Sequence, residues 1–321
     1  MKPGLRTLAP YLGLAAAYLL FSLLAPAAFH GAYNLKTILT QSVIVGIGAL
    51  GMTFVIISGG IDLSVGSLIA CATVLLARAL NLGHEPLPGW LPWAALAAAT
   101  GCGAIGGVLN GFITARFRLA AFIVTLGTMQ IYRGGAKWLA AEQTVTAPAT
   151  WLNGLMEVDA GPRWLWIAPG VWLLLALTAA VAVVLRYTVF GRHVYALGSN
   201  EAAARLCGVP VALRRIQIYA LGGAFAGIAG AMQFANLTLG DPTAAEGMEL
   251  DIVAAVVIGG GSLRGGEGRA AGSLIGALLM AVLRNGCNMA GIPNYLQNIV
   301  VGAIIIGAVG LDRLGARGSR A

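Results

Sequence analysis

The sequence predicts an all-α, polytopic membrane protein, and three observations support that fold class. Hydrophobic residues make up 58% of the 321-residue chain and charged residues only 10%, whereas charged residues make up about a quarter of an ordinary soluble domain. Apolar stretches of about 20 residues, the length of a membrane-crossing helix, recur along the whole chain. Glycine occurs 46 times, about twice its usual frequency, as in closely packed membrane helices.

These stretches predict about ten apolar spans. Because two of the spans are irregular, the number of helices that fully cross the membrane is eight, nine or ten. The run at 248–260 is short, and the run at 120–139 contains Arg133 and Lys137. The first run follows Lys2 and is long for a cleaved signal peptide, so we interpret it as an uncleaved helix. The predicted spans are 9–28, 38–57, 63–81, 91–114, 120–139, 164–186, 214–236, 248–260, 270–289 and 295–311.

Basic residues predict the orientation, because Lys and Arg concentrate in cytoplasmic segments of membrane proteins. With the N-terminus inside, these segments hold most of the 20 basic residues, namely Lys2, Arg6, Arg116, Arg118, Arg186, Arg192, Arg205, Arg214, Arg215, Arg264, Arg269, Arg313, Arg317 and Arg320. The opposite loops are mainly acidic, with Glu85, Glu142, Glu157, Asp159, Asp241, Glu246 and Glu249. We therefore expect both termini in the cytoplasm and residues 140–163 outside. Residues 1–321 form one predicted membrane domain with a cytoplasmic loop at about 187–213.

Glycines also recur at four-residue spacing inside the apolar runs, which is typical of helices whose backbones approach closely. The spacings are Gly103/Gly107/Gly111, Gly223/Gly227 and Gly272/Gly276. Each spacing alone is weak evidence in a chain this rich in glycine.

The segment from Met52 to Ser67 is the most informative part of the chain. An apolar run of helical length ends in Ser58-Gly59-Gly60, shows a lone acid at Asp62, and restarts as a second apolar run. In membrane proteins, such breaks mark places where a solute or a moving part is handled. Asp62 either caps a helix beginning at Leu63 or contributes with Ser58 to a gate or polar path.

Other polar residues within the spans can bond either a passing solute or a neighbouring helix. The candidate gate or pathway residues are Ser58, Gly59, Gly60, Asp62, Asn110, Thr125 and Asn288. Residues 55–60 and 256–261 are faintly similar, and each is followed by Gly-Ser-Leu-Ile. We do not infer a repeat from this similarity.

The chain contains no energy-coupling motif of its own. It has no GxxxxGK[ST] phosphate loop, and the glycine-rich run at 259–266 fails the GxGxxG spacing. The four cysteines lack metal or redox spacing, and the basic residues form no patch with interleaved aromatics, which argues against nucleic acid. We predict no catalytic, cofactor-binding or metal-ligating residue, so any active transport requires energy from a partner.

A short helix is predicted within the cytoplasmic loop, at about Glu201 to Cys207. Asn200 is a favourable N-cap residue, and Glu201 and Arg205 have the i,i+4 spacing of an ion pair. Gly208 would end this helix, since glycine commonly follows the last helical residue. From these residues alone, two interpretations are equally reasonable. The helix is either a solvated part of the loop or a helix that docks a partner.

Several segments together carry a family resemblance, namely MTFVIISGGIDLSVG at 52–66, NGFITA at 110–115, FIVTLG at 122–127, Gly191-Arg192, NEAAARL at 200–206 with Gly208, and ELDIVAAVVIGG at 249–260. Through them the chain resembles the permease subunits of ribose-type monosaccharide ABC importers over roughly residues 36–313. The order and spacing of these segments together are highly specific.

The resemblance implies a non-catalytic subunit in the bacterial inner membrane, paired with a second permease copy of the same or a paralogous chain. Cytoplasmic ATP-binding subunits would bind the ATP, so the chain itself needs no cofactor, and a periplasmic sugar-binding protein would deliver the solute. The matching cytoplasmic coupling residues are Asn200, Glu201, Ala202, Ala203, Arg205 and Gly208. Alternatives are a permease for branched-chain amino acids or another small solute, and, more distantly, an autonomous secondary transporter or channel.

Overall fold

The computed structural model describes residues 3–83, 86–159 and 166–317, and this part of the chain is almost entirely helical. Its α-helices are α1 (Pro3–Leu24), α2 (Ala32–Ile57), α3 (Val65–Leu80), α4 (Leu91–Phe117), α5 (Ala121–Ala140), α6 (Pro169–Tyr187), α7 (Val189–Ser199), α8 (Glu201–Leu206), α9 (Val211–Leu237), α10 (Met248–Ile258), α11 (Ala270–Met289) and α12 (Asn294–Arg317). Two 3₁₀ turns lie at Ala27–His30 and Asn153–Met156. Strands β1 (Val145–Thr146) and β2 (Leu239–Gly240) form one antiparallel pair.

The all-α fold class is confirmed, and each of the ten predicted spans coincides with one helix, apart from residues 164 and 165 of the sixth span, which lie outside the described residues. Five of the described helices, α2, α4, α6, α9 and α11, are long and apolar enough to cross a membrane. Helix α10 has only 11 residues, which agrees with the short predicted span at 248–260. Helix α1 ends at Leu24 rather than at residue 28, because Pro26 disfavours helical geometry at the preceding residue.

The loop predicted at 187–213 contains more structure than the sequence indicated. Helix α7 occupies its first part, α8 follows directly, and α9 already begins at Val211. The predicted short helix is α8, which ends at Leu206 rather than Cys207. The sequence analysis missed α7 because its mixture of polar and apolar residues resembles a loop beside the long apolar spans.

Helices α2 and α9 form the centre of the bundle. Nearly all of the apolar part of α2 is buried, whereas only about a third of the apolar parts of α4 and α6 is buried in the single chain. Helix α2 contacts α6, α9, α10 and α11, so it touches elements from both halves of the sequence. This central position lets one helix connect the two ends of the molecule.

The glycine spacings lie at helix crossings. A Cβ atom at Gly103 or Gly107 of α4 would overlap backbone oxygen atoms of Gly223 or Tyr219 in α9. Gly276 of α11 approaches the backbone of α10 in the same way. Close backbone approach of this kind maximises dispersion contacts where lipid supplies no hydrophobic driving force.

The faintly similar segments 55–60 and 256–261 adopt the same helix cap. Gly59 and Gly260 have φ angles of 83° and 93°, in the left-handed region that favours glycine. In each segment the amide of the last residue donates to the carbonyl oxygen of the first, at 2.9 and 2.8 Å. These are Schellman caps, so α2 and α10 end by one shared local mechanism.

The predicted orientation can be tested with one native and one introduced cysteine. Cys207 is exposed beside α8, and a side chain at Gly154, in the turn Asn153–Met156, would meet no neighbouring atom within 4 Å. In chains that lack the other cysteines, an impermeant maleimide should label Gly154→Cys in intact cells. It should label Cys207 only after the membrane is permeabilised. Labelling of both from the same side would contradict the orientation.

Candidate functional site

The break between α2 and α3 is organised around the buried carboxylate of Asp62. Its Oδ1 accepts hydrogen bonds from the Ser64 amide at 2.9 Å and the Ser64 hydroxyl at 2.6 Å. The Asn110 side-chain amide donates to the same hydroxyl at 2.8 Å. Helix α3 begins at Val65 rather than Leu63, because residues 63 and 64 form the turn that the Asp62 carboxylate closes. The bond from the carboxylate to the amide two residues on is an Asx turn that precedes the helix. The N-cap residue itself is Ser64, and its side chain makes no capping bond.

Two further bonds bring α4 and α5 to the same break. The hydroxyl of Tyr132 in α5 donates to Asn110 Oδ1 at 3.2 Å. Thr125, also in α5, donates to the carbonyl oxygen of Ile61 at 3.2 Å. The structure therefore brings three of the sequence-predicted candidates, Asp62, Asn110 and Thr125, into one buried polar cluster.

The end of α2 meets two other segments through close backbone contacts. The carbonyl oxygen of Ile57 accepts a hydrogen bond from the Gly266 amide at 2.8 Å. A Cβ at Gly198, near the end of α7, would overlap the same carbonyl oxygen. The hydroxyl of Ser58 bonds the Val55 carbonyl of its own helix at 2.8 Å. We call this meeting of Ile57, Gly198 and Gly266 the glycine junction.

Helix α8 is held in place at its first turn. The Asn200 side chain accepts from the Ala203 amide at 3.0 Å, as the capping prediction required. Glu201 bonds Arg205 at 2.9 Å and also Arg215 of α9 at 2.6 Å. Burial opposes ionisation of Glu201, but the charges and hydrogen bonds of Arg215 and Arg205 outweigh it and lower the pKa of its carboxyl. The sequence analysis found the pair within α8 but not the bond to α9.

The outer face of α8 is exposed and partly apolar. Ala202, Ala203 and Arg205 are exposed, and Gly208 follows the helix with a φ of 81°. Leu206 is 90% exposed, and the sequence analysis did not select it as a docking residue. Leu206 therefore adds one large apolar side chain to the exposed face of α8.

A cavity of about 400 Å³ lies at the other end of the bundle, among α2, α9, α10 and α11. Nearly half of the residues in its wall are polar, namely Gln41, Gln233, Asn236, Glu246, Asp251, Arg284 and Asn288. Asn288 is the only one of these that the sequence analysis selected, and it lies apart from the cluster at the break. Its Oδ1 accepts a bond from Gln297 at 2.8 Å.

An ion pair inside this cavity was also missed by the sequence analysis. Arg284 of α11 contacts Oδ2 of Asp251 in α10 through both Nε, at 2.9 Å, and Nη2, at 2.5 Å. The signal was present, since each residue lies inside a predicted span and a charge there is costly unless it is paired or functional. Their pairing could not be read from residues 33 positions apart.

Comparison with known proteins identifies the family to which this chain belongs. The profile of a family described as the permease component of branched-chain amino acid transport systems matches residues 34–309. The chain belongs to this permease family. It is therefore a transport subunit and a multi-pass protein of the inner membrane.

Individual relatives align over most of the chain. The ribose import permease protein RbsC of Bacillus subtilis is 39% identical over 312 residues, which are 96% of this chain and 93% of the relative. RbsC of Escherichia coli K12 is 41% identical over 279 residues, 87% and 85% of the two chains. The L-arabinose transport system permease protein AraH of E. coli K12 is 36% identical over 275 residues, 86% and 81% of the two chains.

Two substitutions at Asp62 distinguish its role in closing the turn from a role of its charge. Asn keeps an acceptor oxygen for the Ser64 bonds, so Asp62→Asn should retain solute uptake and the melting temperature in detergent. Asp62→Ala removes the acceptor of both Ser64 bonds, which costs about 1–3 kcal/mol, and should lower the melting temperature by a few degrees. Loss of uptake in a normally stable Asn variant would instead assign Asp62 to the gate.

Proposed function

We propose that this chain is the membrane-spanning permease subunit of an ATP-binding-cassette importer that carries a monosaccharide. The observation that carries the proposal is its near full-length similarity to relatives named as ribose and arabinose permeases. A bundle with a polar cavity at one end and an exposed helix at the other fits a subunit that passes a hydrophilic solute.

Energy for this transport would come from a cytoplasmic partner. The sequence has no phosphate loop, so ATP would be bound and hydrolysed by ATP-binding subunits docked on α7 and α8. A periplasmic sugar-binding protein would deliver the sugar at the cavity end, and a second permease copy would complete the membrane unit. The exposed face of Ala202, Ala203, Arg205 and Leu206 supports the docking assignment.

The packing offers a direct mechanical route between these two ends. Helix α8 is bonded to α9 through Glu201 and Arg215, and α7 touches the end of α2 at the glycine junction. The first half of α2 carries Gln41 and the end of α9 carries Gln233, and both residues line the cavity. Closure of the ATP-binding subunits would therefore tilt helices that form the cavity wall, as alternating access requires.

The rival solute is a branched-chain amino acid, which the family description itself names. The complete importer, reconstituted in vesicles with its ATP-binding and binding-protein partners, distinguishes the two. It should accumulate ribose or arabinose when ATP is present and should not accumulate leucine. ATP-dependent uptake of leucine without any sugar uptake would overturn the monosaccharide assignment.

The docking assignment predicts a specific effect of Leu206→Asp. This side chain is 90% exposed, so the substitution should leave the folded permease intact. If α8 inserts Leu206 into a partner, a buried unpaired carboxylate should reduce co-purification of the ATP-binding subunit about tenfold or more.

Leu82→Asp is the matched control for this substitution. Leu82 is 82% exposed and follows the far end of α3, away from α8. Its variant should co-purify the ATP-binding subunit like the unmodified chain. If both variants retain the subunit equally, α8 is a solvated helix and not the docking element.

A further inference from the structure

The cavity among α2, α9, α10 and α11 has the size and wall of a small-molecule site. Its volume of about 400 Å³ falls within the range of about 300–1,000 Å³ that ligand pockets occupy. It lies at the end of α9 opposite α8, which is the side where the predicted orientation places the outside. Ile44, Met156 and Met280 add apolar surface to the polar wall.

Several polar groups on this wall have no partner within the described chain. The side chains of Gln41, Gln233, Asn236 and Glu246 make no hydrogen bond there. Gln41, Asn236 and Glu246 are exposed, whereas Gln233 is only 8% exposed. All four side chains are free to bond water or a hydrogen-bonding solute in the cavity.

The ion pair of Asp251 and Arg284 also leaves one hydrogen-bonding atom of each side chain without a partner in the described chain. Both of its contacts use the same carboxylate oxygen, Oδ2 of Asp251. Oδ1 of Asp251 and Nη1 of Arg284 therefore make no bond within the described chain. One is an acceptor and the other a donor, and they belong to adjacent side chains on one wall. Two neighbouring hydroxyl groups match this pair, because one can donate to Oδ1 while the other accepts from Nη1.

We propose that this cavity is a binding site for a neutral, hydroxyl-rich solute, with the Asp251–Arg284 pair as its central contact. The inference rests on the proposed function and assigns the residues that hold the sugar during passage. Because the two charges already neutralise each other, the empty site is stable and the solute is held by few additional bonds. Such moderate binding suits a path from which the solute must leave.

The charges of the cavity disfavour an anionic solute. Among the described residues of the wall, Arg284 is the only basic one, and it is paired with Asp251. Glu246 adds a second acid, so acidic groups outnumber basic groups there. A solute with a net negative charge would face this excess, whereas a neutral polyol would not. An amino acid carries an ammonium group as well as a carboxylate, so the comparison with leucine distinguishes it from a sugar.

Protection of an introduced thiol tests the site directly. Ala281 is a small residue that lines the cavity, so Ala281→Cys can be placed in a chain whose four native cysteines are replaced by alanine. In the purified complex with the ATP-binding subunit, ribose should slow the reaction of this thiol with a small methanethiosulfonate reagent. Leucine at the same concentration should not slow it.

Asp251→Asn, added to this background, tests the central contact. It keeps the shape of the side chain and removes its charge, so the ribose concentration for half-protection should rise about tenfold, the value of one charge-assisted hydrogen bond. Asp159→Asn is the matched control, since Asp159 pairs with Lys36 at 2.8 Å outside the cavity. It should leave half-protection unchanged.

Gln233→Leu gives a second variant if loss of the ion pair destabilises the complex. Gln233 has no partner to lose in the described chain, so its substitution should weaken protection without lowering the melting temperature. If the ribose concentration for half-protection is unchanged in both Asp251→Asn and Gln233→Leu, these residues are structural and the cavity is not the proposed binding site.

The outcome of this test is separable from that of the proposed function. Absence of ribose protection in a complex that still accumulates ribose would reject the cavity as the sugar site and leave the function standing. Protection by leucine and not by ribose would count against the monosaccharide assignment itself.

Discussion

The structure depends on how helix α2 ends inside the protein. Buried backbone groups have no water to bond, so each carbonyl freed at a buried helix end needs a partner from the protein, and Ile57 is fully buried. At the end of α2 the Ile57 carbonyl obtains one from the Gly266 amide. The approach that makes this bond possible also brings Gly198 of α7 against the same oxygen. A requirement of backbone chemistry thus joins three segments at one point.

Glycine is the residue that makes this solution possible. At Gly198 a side chain would collide with α2, and at Gly59 the left-handed φ of 83° lets the chain turn directly after the helix. The same absence of a Cβ allows α4 and α9 to touch along their backbones at Gly103 and Gly107. The high glycine content therefore has two physical uses, one at helix ends and one at helix crossings.

Hydrophobic run length and glycine spacing predict most of this fold, because both act locally along the chain. The caps at Asn200 and the pair of Glu201 with Arg205 were predictable for the same reason. Contacts between distant segments were not, and so the bond from Glu201 to Arg215 and the pairing of Asp251 with Arg284 appeared only in the structure. The cavity depends entirely on such contacts, which is why sequence reasoning found little of its wall.

Helix α2 places the two candidate functional regions in one mechanical unit. Its end at Ile57 touches α7, and its first half carries Gln41 at the cavity. A buried, close-packed helix transmits displacement along its length because the interior is too dense to absorb it locally. A shift of α7 by a docked partner would therefore change the cavity wall rather than dissipate at the glycine junction. The neutral pair of Asp251 and Arg284 lies on α10 and α11, which pack against α2, so the same shift would alter the spacing of the groups that we assign to the sugar.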